Sequence, residues 1–125
     1  MTSPRKVILA PAAEEDIAAI LGWSAETFGD AASRRYAALI VRAIMDLAEQ
    51  PTRAGVHERP EISVRLCSYH LAHSRVRIRP VEERVASPRH FVMFRIRNDG
   101  GLEIVRILHD SMDLARYVPK EEEEK

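Results

Sequence analysis

The chain has 125 residues, of which 46% are hydrophobic and 30% are charged, and its formal net charge at pH 7 is zero. These values predict one soluble globular domain with a single core. The sequence excludes a bilayer-spanning segment and an internal disulfide, because no apolar run is long enough and Cys67 is the only cysteine. The N-terminus also lacks the hydrophobic stretch of a signal peptide, so we expect a cytoplasmic protein.

The zero net charge hides an uneven distribution. Residues 53–106 carry 11 arginines, no lysine and 6 acidic residues, a balance of +5, whereas residues 1–52 and 107–125 have balances of −2 and −3. Arginine makes planar, bidentate contacts to carboxylates and phosphates, so the middle segment is a candidate surface for an acidic protein or a nucleic acid. The alternative is a GC-rich genome, which favours arginine codons.

The first half of the chain predicts a strand followed by two helices. Val7–Leu9 is a short apolar run, and Pro11 starts a helix that Gly29 ends after Phe28. Asp30 suits the N-cap of a second helix, from residue 31 to about 49, which Pro51 stops. So short a loop predicts an antiparallel helix pair. A helix-turn-helix DNA reader is disfavoured because both helices are long and the second lacks an exposed run of base-reading residues.

The second half predicts three strands. Residues 51–60 are expected to be a loop, 62–71 a strand, and 72–89 a long arginine-rich connection. Residues 91–97 and 102–109 flank Asn98-Asp99-Gly100-Gly101, a tight-turn sequence, and therefore predict a β-hairpin. A short helix over 112–118 follows. Residues 1–5 and the charged tail 120–125 are expected to have no fixed structure.

The predicted order is β-α-α-β-β-β plus a short C-terminal helix. We expect an α+β fold in which the helix pair packs on one face of a small, mainly antiparallel sheet. The chain is predicted to be one domain over 1–125, with an ordered part from about residue 6 to residue 118.

The hairpin register predicts which side chains share a face. Placing Arg97 opposite Leu102 gives two pairs on the core face, Phe94–Val105 and Val92–Ile107. The other face then receives Arg95–Ile104, Met93–Arg106 and Phe91–Leu108. Two arginines among apolar residues favour a concave surface that meets an anion. The equally weighted alternative is that Arg95 and Arg106 pair with acidic residues of the protein itself.

Two further residue patterns indicate a candidate metal site and a candidate partner contact. Cys67, His70 and His73 have the three-residue spacing of metal ligands, but on a strand the first two point to opposite faces and a fourth ligand is missing. We therefore expect no metal and no cofactor. Trp23 lies off the apolar stripe of the first helix, where it either anchors a partner or packs under the following loop.

The element order and three short motifs resemble the ParE/RelE superfamily of type II toxins. The motifs are Val7–Ala13 before an acidic helical turn, Phe94-Arg95-Ile96, and the ending Ile104–Asp113. The resemblance is closest to the ParE branch, which Arg106–His109 and Asp113 match. Met112 departs from the pattern, since many ParE-like sequences have arginine there, and the connection 72–89 is longer than usual.

The resemblance implies a small bacterial toxin of a plasmid-stabilization type of system, held inactive in a hetero-oligomer with an antitoxin. A ParE-like toxin binds and poisons DNA gyrase and is not an enzyme. The target-binding residues implied here are Arg95, Arg97, Arg106 and Asp113. The antitoxin would lay an amphipathic helix over the toxin helices and add an extended segment near the sheet. Its expected contacts are Trp23, Phe28, Tyr36 and Leu39.

Two alternatives stay open. A RelE-like toxin would cut messenger RNA on the ribosome, with positive charge from Arg65, Arg95 and Arg106 and acid–base groups from His109 and Tyr117. This alternative is disfavoured because the register places His109 on the helix-facing side, away from Arg106. The second alternative is a non-toxic relative that acts as an interaction module.

Overall fold

The computed structural model describes residues 4–118 and confirms the α+β class and the order of the predicted elements. The helices are α1 (Pro11–Phe28), α2 (Asp30–Glu49) and the one-turn α3 (Ala72–Arg75). The strands are β1 (Val7–Leu9), β2 (Val56–Glu58), β3 (Cys67–His70), β4 (His90–Ile96) and β5 (Leu102–His109). Two 3₁₀ turns cover Val81–Glu83 and Leu114–Arg116.

The five strands form one sheet in the order β1-β5-β4-β3-β2. Only β1 runs parallel to its neighbour, β5; the remaining pairs are antiparallel. Two predictions are corrected here. β2 lies in a segment predicted to be loop, and β3 is shorter than the predicted strand 62–71, because residues 62–66 turn across the sheet instead of pairing in it.

The register of β4 and β5 is correct at one end and wrong at the other. The pairs Val92–Ile107, Met93–Arg106 and Phe91–Leu108 are confirmed. A register shift between Met93 and Phe94 then places Phe94 opposite Ile104 and Arg95 opposite Glu103, so the predicted pairs Phe94–Val105 and Arg95–Ile104 are wrong. The extra residue, Val105, turns to the face away from the helices, as a β-bulge allows.

The predicted helix pair packs on one face of the sheet. Pro11 begins α1, and Gly29 ends it at φ +95°, a conformation that glycine adopts without strain, with its N–H on the Ala25 carbonyl. α2 supplies the larger part of the buried surface, with six fully or nearly buried residues, whereas α1 has only Ala13 and Ser24. The core on this face includes Leu39, Ile40, Leu47, Tyr69, Val92, Phe94 and Ile104.

The second face of the sheet is also covered. Ile62 and Leu66, from the turn before β3, and Val118, from the C-terminal segment, pack on Met93, Val105 and Leu108. The concave surface predicted for this face is therefore wrong where Met93, Val105 and Leu108 lie, because these residues are already buried against other parts of the chain. The predicted helix over 112–118 is reduced to the turn Leu114–Arg116, which brings Val118 onto this face.

The N-terminal expectation needs one correction. Arg5 was predicted to be without fixed structure, but its N–H bonds the Ala48 carbonyl at 3.0 Å and its guanidinium bonds the Gly100 carbonyl at 2.9 Å. Residues 1–3 and the tail 120–125 lie outside the described residues. Within residues 4–118, no helix has both the length and the apolar character needed to cross a membrane.

A buried carboxylate holds the long segment 72–89 against α2. Asp46 is fully buried and lies 3.1 Å from Arg42, 2.9 Å from Arg77 and 3.7 Å from Arg53. The hydroxyl of Ser74 donates to Asp46 at 2.6 Å. These bonds come from three parts of the chain, so the first turn of the segment is fixed to α2.

Arg84 fixes the far part of the same segment. Its guanidinium donates to the carbonyls of Ile78 at 3.0 Å and Val76 at 2.7 Å, which closes residues 76–84 into a compact turn. We refer to residues 72–89 as the insert. It is ordered by polar contacts to backbone and carboxylate groups instead of by a run of apolar residues.

We expect Asp46→Asn to lower the free energy of unfolding by about 2–4 kcal/mol, because a buried, multiply bonded charge is lost while three arginines stay in place. Urea unfolding of the variant measures this loss. Glu49→Gln, at an exposed position near the end of the same helix, is the matched control and should change stability by less than about 0.5 kcal/mol. Equal effects of the two substitutions would show that Asp46 does not hold the insert.

Candidate functional site

A cleft of about 1030 Å³ lies between the helix pair and the insert. One wall is apolar and comes from α1 and the start of α2, including Ile20, Trp23 and Phe28. The opposite wall is the insert from Glu82 to Ser87. His90 and His109, an antiparallel pair at the ends of β4 and β5, form its inner end. We refer to this concavity as the cleft.

Tyr36 connects α2 to this inner end. Its hydroxyl lies 2.6 Å from Nδ1 of His90 and accepts the backbone N–H of Arg89 at 3.1 Å. The Tyr36 and His90 rings also meet edge to face, with centroids 5.4 Å apart. Burial raises the pKa of the Tyr36 hydroxyl, and burial together with the nearby His109 lowers the pKa of His90 to about 4. His90 is therefore neutral at pH 7.

Asp110 organises the charged groups beside the histidines. Arg89 makes a bidentate contact with its carboxylate, from Nε to Oδ2 at 3.1 Å and from Nη2 to Oδ1 at 2.9 Å, and this hydrogen bonding lowers the pKa of Asp110 to about 2. Nε2 of His70 lies 3.1 Å from the same carboxylate. Because the Ala72 N–H bonds Nδ1 of His70, that nitrogen is an acceptor and the ring proton lies on Nε2, where it is donated to Asp110.

The same reasoning assigns the proton of His109. The backbone N–H of Ser111 donates to its Nδ1 at 3.1 Å, and the Ser111 hydroxyl lies 2.7 Å from the same atom. In its neutral form the ring therefore carries its proton on Nε2. His109 is partly exposed and lines the cleft.

The predicted target-binding residues separate into different places. Arg95 and Arg97 line a smaller hollow of about 330 Å³ at the turn of the hairpin, together with Arg65, Asn98, Asp99 and Glu103. Arg65 donates to Asn98 at 2.8 Å, Arg95 lies 3.8 Å from Glu103, and Arg97 lies 3.7 Å from Asp99. This hollow carries three cations and two anions. Asp113 is exposed and lies away from it, before the last turn.

Arg106 is bound within the protein. Its guanidinium meets Asp16 of α1 at 2.7 Å and 2.8 Å and donates to the Tyr117 carbonyl at 2.7 Å. The hydrogen bonds that Arg106 donates to Asp16 raise the pKa of Arg106. Of the two alternatives for the strand arginines, pairing with the protein's own acids is the one that the structure supports for Arg106.

The predicted antitoxin-binding residues differ in how far their side chains are exposed to solvent. The side chains of Trp23 and Phe28 are 60% and 67% exposed and meet edge to face at 5.5 Å. Tyr36 is half-buried and lines the cleft. Leu39 is fully buried in the core, so its prediction is corrected: it packs against the sheet and offers no surface to a partner.

The residues proposed for ribonuclease chemistry do not meet in one place. Arg65 and Arg95 lie at the turn of the hairpin, whereas His109 lies at the other end of β5 and Arg106 is paired with Asp16. Six residues separate Glu103, opposite Arg95, from His109, a distance of roughly 20 Å along a strand. His109 lies on the cleft side, next to the helices, as its register predicted.

Sequence reasoning missed the pair His90–His109 and the cleft above it. Extending the predicted register by one pair beyond Phe91–Leu108 would have placed these two histidines opposite each other, which was the available signal. The contact between His90 and Tyr36 had no signal in the sequence, because it depends on tertiary packing. Among residues 4–118, no group of three or more histidine, cysteine, aspartate or glutamate side chains is arranged to hold a metal ion.

The low pKa of His90 predicts a pH-dependent stability. An unfolded chain protonates this ring below pH 6.5, but the folded protein resists protonation until about pH 4, so stability falls as the pH drops from 6.5 to 4. After allowance for solvent screening of a half-buried ring, we expect about 1–2 kcal/mol from this group. His90→Asn should flatten the dependence measured by urea unfolding at pH 7 and pH 5, whereas His57→Asn on exposed β2 should not. An unchanged slope in His90→Asn would contradict the assignment.

Comparison with known families agrees with this architecture. The family model described as "ParE toxin of type II toxin-antitoxin system, parDE" matches residues 7–114, from the first strand to the last turn. No curated protein matches the sequence closely enough to be counted as a relative. The matched range contains α1, α2, the five described strands and the insert with α3. The chain therefore belongs to the ParE toxin family of type II toxin–antitoxin systems.

Proposed function

We propose that the protein acts in the bacterial cytoplasm as a toxin that inhibits DNA gyrase and that a cognate antitoxin neutralises it in a hetero-oligomer. The single observation that carries this proposal is membership of the ParE toxin family over nearly the whole fold. The scattered positions of the ribonuclease candidates support a binding poison over a nuclease, since RNA cleavage without a metal needs charge stabilisation and acid–base groups around one phosphate.

The hairpin turn is the target-binding surface in this proposal. Arg95 and Arg97 contribute positive charge there, and Arg65 adds a third guanidinium to the same hollow. Arg106 takes an indirect part, because its bonds to Asp16 and Tyr117 place the C-terminal turn that carries Asp113. The hollow is small and mixed in charge, which suits a protein partner better than a nucleic-acid backbone.

The antitoxin covers the exposed aromatic pair on α1. Trp23 and Phe28 are large apolar side chains left on the surface of a helix in which Ala13 is the one fully buried apolar residue. Exposed aromatic clusters of this kind mark protein interfaces. An amphipathic antitoxin helix laid over α1 would bury them.

We expect expression of the protein alone to arrest growth and the purified protein to inhibit supercoiling by gyrase. Arg97→Glu should weaken that inhibition at least tenfold, because it reverses a half-exposed charge at the proposed target surface. Arg34→Glu, on the exposed face of α2 and outside both concavities, is the matched control and should leave inhibition unchanged. A plasmid supercoiling assay over a range of protein concentrations makes the measurement.

Two outcomes would contradict the proposal. Normal supercoiling with rapid loss of messenger RNA in translating extracts would favour the ribonuclease. Growth unaffected by strong expression of the protein alone would instead favour a non-toxic relative.

A further inference from the structure

Arg35 is an uncommitted cation in the cleft. The cleft contains three arginines. Arg89 is held by Asp110, and Arg84 is held by two carbonyls of the insert. Arg35 is half-buried and has no hydrogen-bond or ion-pair partner within residues 4–118. A half-buried guanidinium without an anion lacks the contact that would offset its partial desolvation, so the site suits an incoming carboxylate.

The cleft that contains Arg35 is apolar on its α1 wall and mixed on its insert wall, which includes the acidic Glu82. Trp23 and Phe28 lie on the α1 wall, and Val85 faces them from the insert. His109 lies at the inner end, and Ser87 lies on the insert wall. This arrangement can receive an apolar side chain together with a neighbouring negative charge.

We propose that the cleft selects the antitoxin by receiving one apolar side chain flanked by a carboxylate that pairs with Arg35. The inference rests on the proposed function, because it names the chemistry of the partner segment. The insert builds one complete wall of the cleft, and Asp46 and Arg84 hold it in place. Selectivity among antitoxins therefore comes from the insert and Arg35, and the exposed aromatic pair supplies general apolar area.

Charge and composition argue against other occupants. The chain's own tail, from Pro119 to Lys125, has Pro119 as its one apolar side chain and no aromatic or aliphatic residue to pack on Trp23 and Phe28. A nucleic acid strand requires several free cations along its phosphates, whereas Arg35 is the one arginine of the cleft not already bonded within residues 4–118. A peptide segment with one apolar side chain beside an acidic residue matches both the positive charge of Arg35 and the aromatic wall of the cleft.

The test uses small probes that carry the proposed chemistry. 4-Phenylbutyrate, an apolar carboxylate, and 4-phenylbutanamide, its neutral analogue, are titrated into the full chain and followed by NMR at the Trp23 indole N–H. We expect the carboxylate to bind about three- to tenfold more tightly than the amide, the range of a partly screened ion pair. Arg35→Gln should remove this preference, and Arg34→Gln should keep it.

Several results would overturn the inference. One is equal binding of the two probes, and another is a carboxylate preference that survives Arg35→Gln. A hexathymidylate that binds more tightly than 4-phenylbutyrate and depends on Arg35 would make the cleft a nucleic-acid site. Arg35→Gln is checked by urea unfolding, and the intact fold of that variant is required for the comparison.

The titration is independent of gyrase. If the probes fail while the protein still inhibits supercoiling, the cleft inference is wrong and the proposed function stands. If supercoiling is normal while binding depends on Arg35, the cleft is a recognition site and the gyrase proposal is wrong.

Discussion

The carboxylate of Asp16 joins the parts of this fold that the sheet alone does not connect. β1 pairs only with residues 102–104 of β5. The rest of β5 would therefore present unpaired backbone groups along the edge that faces away from β4. Asp16 accepts the N–H of Ile107 at 2.9 Å and binds the guanidinium of Arg106, which in turn holds the Tyr117 carbonyl. The Asp16 side chain of α1 therefore accepts a backbone hydrogen bond at the edge of β5 and, through Arg106, fixes the C-terminal turn. The cover on the second face of the sheet depends on this connection.

Elements with a strong periodicity of apolar residues could be predicted from the sequence, whereas elements fixed by single tertiary contacts could not. The apolar spacing of α2 and the turn Asn98–Gly101 determine the helix pair and the hairpin, and both are confirmed. The bulge was missed, although its trace in the sequence is the three-residue spacing of Ile104 and Ile107: an unbroken strand would place these two residues on opposite faces, but both pack on the helix-covered face. β2 was missed because three residues between glycine and proline carry too little periodicity.

The candidate sites were harder to predict for a related physical reason. The insert has few apolar anchors, and its order comes from Asp46 and Arg84, whose partners lie far away or are backbone carbonyls. No local pattern encodes such contacts. The strand arginines were recognisable as a group, but whether each faces solvent, Asp16 or Glu103 depended on the bulge and on the helix that packs nearby.

Within residues 4–118, elements of the chain cover apolar residues on both faces of the sheet, and the two concavities described above lie beside this covered core. The cleft and the hairpin hollow lie at opposite ends of the β4–β5 ladder, which places them roughly 17–20 Å apart by strand rise. A single polypeptide that filled one and shielded the other would need about six extended residues, or about 13 in a helix. A shorter ligand of the cleft would leave the hollow accessible, so occupancy of one concavity and blockade of the other are physically separable events.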